Sequence, residues 1–200
     1  MSRKIFVVLL LSLFSITCFS QGKVEGGFYA GYFQLGDRGF NNFGGILHIP
    51  VGERATLNYQ LGFGTGLNGG LYAHCTGGMV AGIWVLDKID SRDIGYLAFV
   101  LCLVPEGVGV YLPQKGKIAT HVSINPLSVE YFYHSENPHE EWGKLGCDVV
   151  ARFKIRSTRK WPIYLAPQVA ATVIYTPGET TSQFGFKAGI TLGLEAKNPL

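Results

Sequence analysis

His121 and Ser123 lie two residues apart, a spacing that puts both side chains on one face of a β-strand. A histidine beside a serine can act as a general base and activate the hydroxyl for nucleophilic attack. The pair is therefore the candidate for hydrolytic chemistry in this chain. Both residues fall on the polar face of their segment, however, and no Asn follows Ser123 directly. The alternative interpretation is a pair of hydrogen-bonded residues in a polar interior or a loop.

Five charged residues stand singly among small or polar neighbours at alternating positions. They are Glu25, Glu130, Asp148, Arg152 and Lys187. Two interpretations are open, an ion-pair network that fills the interior of the fold and a pathway for protons or a substrate. The sequence favours the network, because a narrow interior has room only for side chains.

The other histidines, His48, His74, His134 and His139, are not at metal-ligand spacing. The acidic loop at residues 135–141 could attract a cation, although a solvated loop is the simpler interpretation. The chain has no C-x-x-C, no phosphate-binding loop, no nucleophile elbow and no H-E-x-x-H. The sequence therefore predicts no metal and no cofactor.

Apolar and polar residues alternate along most of the chain, which predicts antiparallel strands with one apolar and one polar face. The pattern is clearest in three C-terminal segments, residues 145–155, 161–175 and 184–194. It recurs at residues 23–33, 43–51, 56–64, 108–112 and 118–133. The apolar parity changes at Pro126, which predicts a β-bulge there.

Residues 71–104 break the alternation. Residues 79–86 and 94–104 are almost wholly apolar, Ser91 could cap a helix and Pro105 could end one. Neither run reaches the ~20 residues that a membrane-spanning helix needs. A short helical insertion around residues 71–104 leaves eight strands, whereas two further strands there give ten. Both numbers are even, which puts the two chain ends on one side of a barrel.

Residues 1–20 are typical of a secretory signal peptide, with a basic start, an apolar run and the cleavage sequence Cys18-Phe19-Ser20. Acylation of Cys18, as in a lipoprotein, is the alternative. We expect the remainder, residues 21–200, to form a single domain. Cys75, Cys102 and Cys147 remain, an odd number that rules out a fully paired disulfide framework.

Removal of residues 1–20 takes away Arg3 and Lys4, leaving 15 basic side chains against 14 acidic ones. This balance provides no basic field for nucleic acid. The chain has 16% charged residues, 13% aromatic residues and 27 glycines. Few charges with many aromatics and glycines are typical of a β-structure whose outside need not meet water.

The apolar faces are long enough for tilted membrane strands, which need about 9–11 residues. The opposite faces carry Gly, Gln, Asn, Thr, Tyr and isolated charges, a composition suited to a polar barrel interior. Aromatic residues collect near the predicted strand ends, where interfacial girdles lie. The sequence therefore predicts an all-β fold, an antiparallel up-and-down transmembrane β-barrel of eight strands, or alternatively ten.

The signal peptide, the alternating strands and the glycine-rich pattern together resemble the small outer-membrane β-barrel proteins of Gram-negative bacteria. The resemblance covers nearly all of residues 21–195 and implies residence in the outer membrane. The implied partners are outer-membrane lipid, the barrel assembly machinery and an extracellular ligand at the loops. One departure is that residues 195–200 follow Leu194, whereas such barrels often end on an aromatic residue.

Three functional hypotheses follow. The first is a non-enzymatic barrel with a structural or loop-mediated binding role. The second is a narrow, porin-like channel or small-solute transporter, which needs ten strands or an unfilled lumen. The third is a lipid-modifying hydrolase, because outer-membrane lipid A deacylases use an H-x-S motif on their lipid-facing surface. His121 and Ser123 depart from that family, since they lie on the polar parity.

Overall fold

The computed structural model describes residues 23–67, 69–88, 101, 103–113, 117–133, 144–156, 162–175 and 182–197. The predicted signal peptide and the acidic loop at residues 135–141 lie outside the described residues, and so does most of the apolar run at residues 94–104.

The predicted alternating segments form β-strands. Their bounds are β1 Lys23–Leu35, β2 Arg38–Pro50, β3 Ala55–Gly66, β4 Leu71–Thr76, β5 Gly107–Tyr111, β6 Ile118–Tyr133, β7 Lys144–Arg156, β8 Ile163–Tyr175 and β9 Ser182–Lys197. Gly36, with a φ of 58°, supplies the left-handed turn between β1 and β2.

The strands close into one antiparallel barrel, because β1 pairs with both β2 and β9. Strands β4 and β5 share one place in the wall: each pairs with β3 on one side and with β6 on the other. The wall therefore has eight strand positions. The prediction of an eight-stranded up-and-down barrel is confirmed.

An insertion separates β4 from β5. It begins with helix α1, Gly77–Lys88, whose first turn is capped by the Thr76 hydroxyl, which accepts a hydrogen bond from the Met79 N–H at 3.1 Å. The predicted helical insertion is thus present but starts later than residue 71, because Leu71–Thr76 belongs to the wall. Within the described residues, no helix is long and apolar enough to cross a membrane.

The described part of the insertion contacts the outer face of the barrel. The hydroxyl of Tyr59, an outward-facing residue of β3, donates a hydrogen bond to the Leu103 carbonyl at 2.7 Å. At the base of the insertion, the N–H of Glu106 donates to the Asn58 carbonyl at 2.8 Å, and the Leu127 N–H donates to the Glu106 carbonyl at 3.0 Å. These bonds hold the returning chain between β3 and β6.

The break between β4 and β5 lies opposite an irregularity in the neighbouring strand β6. The register between β6 and β7 shifts between Asn125 and Ser128, which confirms the bulge predicted at Pro126. The Leu127 N–H, inside this bulge, is the group that reaches Glu106. The bulge thus helps to seal the wall where the insertion leaves it.

Replacing Tyr59 with phenylalanine is expected to loosen the insertion, because the variant loses the hydrogen bond to the Leu103 carbonyl. The expected cost is about 1 kcal/mol. Amide hydrogen exchange of α1 in lipid should become faster, whereas exchange of β7 and β8 should stay unchanged. Tyr175→Phe, on the outward face of β8, is the control and should leave α1 unaffected. Equal exchange of α1 in all three proteins would contradict the predicted role of Tyr59.

Burial in this barrel is the inverse of that in a water-soluble protein. Large apolar side chains project outward and are exposed, as for Phe28 (80%) and Val149 (50%), while charged side chains are buried inside. Cys75 and Cys147 are free and half-buried on the outward parity.

Glycine on the inward parity lets the interior close. A Cβ at Gly44 would lie 1.9 Å from the Leu61 carbonyl oxygen. Another at Gly62 would lie 2.0 Å from the Tyr29 hydroxyl, which itself donates a hydrogen bond to Asn42 at 2.9 Å. The small residues predicted from the sequence thus leave room for the long polar side chains of the lumen.

Candidate functional site

The candidate site is the lumen itself, which the period-two alternation fills with polar side chains from every strand position. Its contents fall into three layers along the barrel axis. We call the end that holds Lys23 and Lys197 the terminal end and the opposite one the loop end.

An aromatic layer lies at the loop end. Phe33 and Tyr72 have ring centroids 5.2 Å apart, and Phe40 and Phe132 have ring centroids 5.4 Å apart. Leu35 and Ile174 complete the cluster, and all six side chains are buried. Offset and tilted aromatic pairs of this kind are favourable packing arrangements. The layer forms an apolar plug across the lumen.

The middle layer is an ion-pair network centred on Glu130, whose side chain has no exposed surface. Lys187 Nζ lies 2.8 Å from Glu130 Oε1 and 2.8 Å from Asp148 Oδ2. His74 Nδ1 lies 2.8 Å from Glu130 Oε1, and His74 Nε2 lies 2.9 Å from Glu106 Oε1. Three carboxylates therefore share one lysine and one histidine. Such a network is stable only because each buried charge has a partner.

Tyr72 joins the aromatic and middle layers, because its hydroxyl donates a hydrogen bond to Glu130 Oε2. Lys187 makes a second link, with its Nζ 5.0 Å from the centre of the Phe33 ring. The plug and the ion pairs are thus parts of one packed interior.

A second ion-pair layer lies nearer the terminal end. Lys154 contacts Glu25 and lies 2.7 Å from Glu195 Oε1. Arg152 Nη1 is 2.6 Å from His48 Nε2, and His48 Nδ1 is 3.8 Å from Glu25 Oε2. Lys23 also pairs with Glu195, with its Nζ 3.1 Å from Glu195 Oε2, so both carboxylates of this layer have basic partners.

His121 and Ser123 are buried within this second layer and not on the outward face. His121 Nε2 lies 2.9 Å from Thr56 Oγ1, and its ring stacks on His48 with centroids 4.8 Å apart. Among the described residues, the structure thus pairs His121 with Thr56 and not with Ser123. The arrangement does not form the nucleophile and base that the spacing allowed.

The structure places all five charged residues singled out from the sequence inside the lumen. It brings Glu130, Asp148 and Lys187 together in the middle layer and Glu25 and Arg152 in the second. Sequence reasoning did not single out five of their partners: His48, His74, Glu106, Lys154 and Glu195. The sequence does contain a signal for Lys154, because this residue lies at a polar position of the alternating pattern. His74 and Glu106 flank the insertion, where the alternation fails.

His74, Glu130 and Asp148 place donor atoms within 4.8 Å of one another, which is close enough for a metal ion. Lys187 Nζ, however, already lies between the two carboxylates. Its ammonium group supplies the positive charge that a cation would bring, so the donor set does not require a metal.

Among the described residues, side chains pack closely in the lumen between the two ends. The void beside Tyr29, Asp148 and Lys187 has a volume of about 10 Å³, which is no larger than the space that one water molecule occupies. At the terminal end, a cavity of about 340 Å³ opens between Arg54, Tyr111 and Lys154, and Glu25 lines it. Ions entering this cavity would meet the second layer, which is closed by ion pairs.

The chain is similar in fold to a solved β-barrel. The Neisserial surface protein A structure matches with a TM-score of 0.50 at 7% identity, over 90% of this chain and 98% of that one. A designed transmembrane β-barrel (12% identity, 88% and 97% covered) and the outer-membrane protein AlkL (9% identity, 91% and 93% covered) match with TM-scores of 0.42 and 0.46. No family model matches the chain, and no curated protein does. The predicted resemblance to small outer-membrane β-barrel proteins is confirmed at the level of fold.

Proposed function

We propose that this chain is an integral outer-membrane β-barrel with a sealed lumen, which acts without catalysis through a structural or loop-mediated binding role. The inside-out distribution of side chains carries the proposal. Charged residues with no exposed surface, such as Glu130, lie inside, while Phe28, Val149 and their outward neighbours are exposed. An apolar belt of this kind is stable in lipid and would aggregate in water.

The packed lumen supports a binding role over a channel. The aromatic layer, two ion-pair layers and the small void at Lys187 leave no continuous path among the described residues. An eight-stranded wall is just wide enough for side chains to fill its interior. A binding role would fall to the surface loops at the loop end.

The burial of His121 and Ser123 argues against lipid hydrolysis at this pair. An acyl chain in the membrane would have to pass through the wall to reach them. His121 is 1% exposed and is engaged by Thr56 and His48.

We expect the purified barrel to conduct no steady current in a planar lipid bilayer, because ion pairs and aromatic rings close its lumen. Parallel flotation of proteoliposomes, with heat-modifiable migration on a gel, verifies that folded protein is in the membrane. Steady single-channel currents from such preparations would overturn the sealed-lumen proposal and favour the transporter alternative. A form that stays soluble without detergent would overturn the membrane assignment itself.

A further inference from the structure

A groove of about 380 Å³ lies on the outer face of the barrel, between α1 and strands β1 to β3. Its walls include Phe28, Leu47, Tyr59, Leu61 and Met79, with Gly45 at its floor. Gly45 contributes no side chain to this space, and Met79 of α1 borders it. A Cβ at Gly45 would meet nothing closer than the Gly27 carbonyl oxygen at 4.0 Å.

The polar side chains that line this groove are Tyr59, Gln60 and Thr76, and Gln60 hydrogen-bonds Tyr29. The Tyr59 hydroxyl donates to the Leu103 carbonyl, and the Thr76 hydroxyl accepts from the Met79 N–H. What faces the groove is hydrocarbon. Such a lining favours an apolar ligand and penalises a polar one, whose hydrogen bonds would be left unmade.

The groove is continuous with the proposed lipid-facing surface, since Phe28, Leu47 and Leu61 also belong to the exposed outer belt. An unfilled apolar space loses the dispersion contacts of every atom that lines it. In a bilayer, the hydrocarbon available to fill the space is an acyl chain.

The groove lies near mid-height of the wall. Phe28, Leu47 and Tyr59 lie on the terminal side of their strand centres, and Leu61 lies just on the loop side of the centre of β3. We take the terminal end, which holds both ends of the barrel chain, to face the periplasm, as in bacterial single-chain barrels. The leaflet on that side of the outer membrane is phospholipid.

We propose that the groove between α1 and the barrel wall binds one acyl chain of a phospholipid, with α1 forming one side of the site. The inference rests on the proposed membrane residence. It assigns α1 a role that neither wall nor lumen provides, the retention of a lipid.

The test compares wild type with Gly45→Leu, which fills the groove from its floor. The control is Ala171→Leu, which adds the same side chain to the outward face of β8, three strand positions away around the barrel. Each protein is reconstituted in nanodiscs of palmitoyl-oleoyl phosphatidylethanolamine and released for native mass spectrometry. We expect wild type and Ala171→Leu to retain one phospholipid, and Gly45→Leu to lose it.

Heat-modifiable migration verifies that each variant is folded, and Gly45→Val, with its smaller side chain, replaces Gly45→Leu if the latter does not fold. Equal lipid retention in the filled variant and wild type would overturn the site, as would equal loss in Ala171→Leu. A folded wild-type barrel that retains no lipid would also overturn it while leaving the proposed function intact. A wild-type chain that does not enter nanodiscs would instead contradict the proposed function.

Discussion

Replacing Lys187 with methionine is expected to destabilise the folded barrel by about 3–5 kcal/mol, the usual cost of removing one partner from a buried ion pair. Lys187 Nζ lies 2.8 Å from both Glu130 and Asp148, and both carboxylates are buried. Methionine keeps most of the apolar stem but lacks the ammonium group, which leaves Asp148 without its lysine partner and Glu130 with His74 alone. The loss is measured by urea unfolding of the protein in lipid, followed by heat-modifiable migration.

The matched control is Lys23→Met. Lys23 forms an ion pair with Glu195, and its side chain is 42% exposed. A partly exposed pair contributes only about 0–1 kcal/mol. Removing the unpaired charge as well, in Lys187→Met with Asp148→Asn, should recover part of the lost stability. If Lys187→Met unfolded at the same urea concentration as wild type, the middle layer would not stabilise the barrel.

Arginine in place of Val149 is expected to block membrane assembly, at a cost of about 2–4 kcal/mol for a cation on the lipid face at the bilayer midplane. The Val149 side chain is 50% exposed and lies near the middle of β7. Ile190, whose side chain is 46% exposed on β9, provides a second position for the same test. The measurement is the fraction of chain that sediments with the outer membrane in heat-modifiable form.

Ile155→Arg is the control for the depth of the charge in the membrane, because Ile155 lies on the same strand as Val149. Ile155 also faces outward but lies next to the last residue of β7, where the expected cost falls to about 0–1 kcal/mol. Thr191→Arg tests the other face, because Thr191 is wholly buried and its replacement disturbs the lumen without placing charge in lipid. Normal assembly of both Val149→Arg and Ile190→Arg would show that the outward face does not meet hydrocarbon.

The wall of this barrel could be predicted from sequence because its signal is local. A period of two assigns Phe184, Phe186 and Ile190 to one face without knowledge of any neighbouring strand. The same rule assigns Lys187 to the lumen.

The partners within the lumen could not be predicted in this way. Glu25 of β1 meets Lys154 of β7 across the barrel, a contact that depends on the tilt and stagger of all the strands between them. Glu106 reaches His74 only because the insertion returns to the point where it left the wall. Alternation fixes which way a side chain points, but it does not say which charge lies opposite.

The split between β4 and β5 leaves the ladder along β3 almost continuous. On β3, Gly62 pairs with His74 of β4 and Asn58 pairs with Gly107 of β5. If the β4 ladder is continued by two residues, Thr76 lies opposite Gln60. Tyr59 is then the one residue of β3 between the part that faces β4 and the part that faces β5. The whole insertion, residues 77–106, is therefore accommodated at a single place in the β3 ladder. Accordingly, the buried parity changes from even numbers at His74 and Thr76 to odd numbers at Gly107. The β6 side absorbs the interruption differently, because Pro126 and Leu127 lie between the residues that pair with β4 and those that pair with β5.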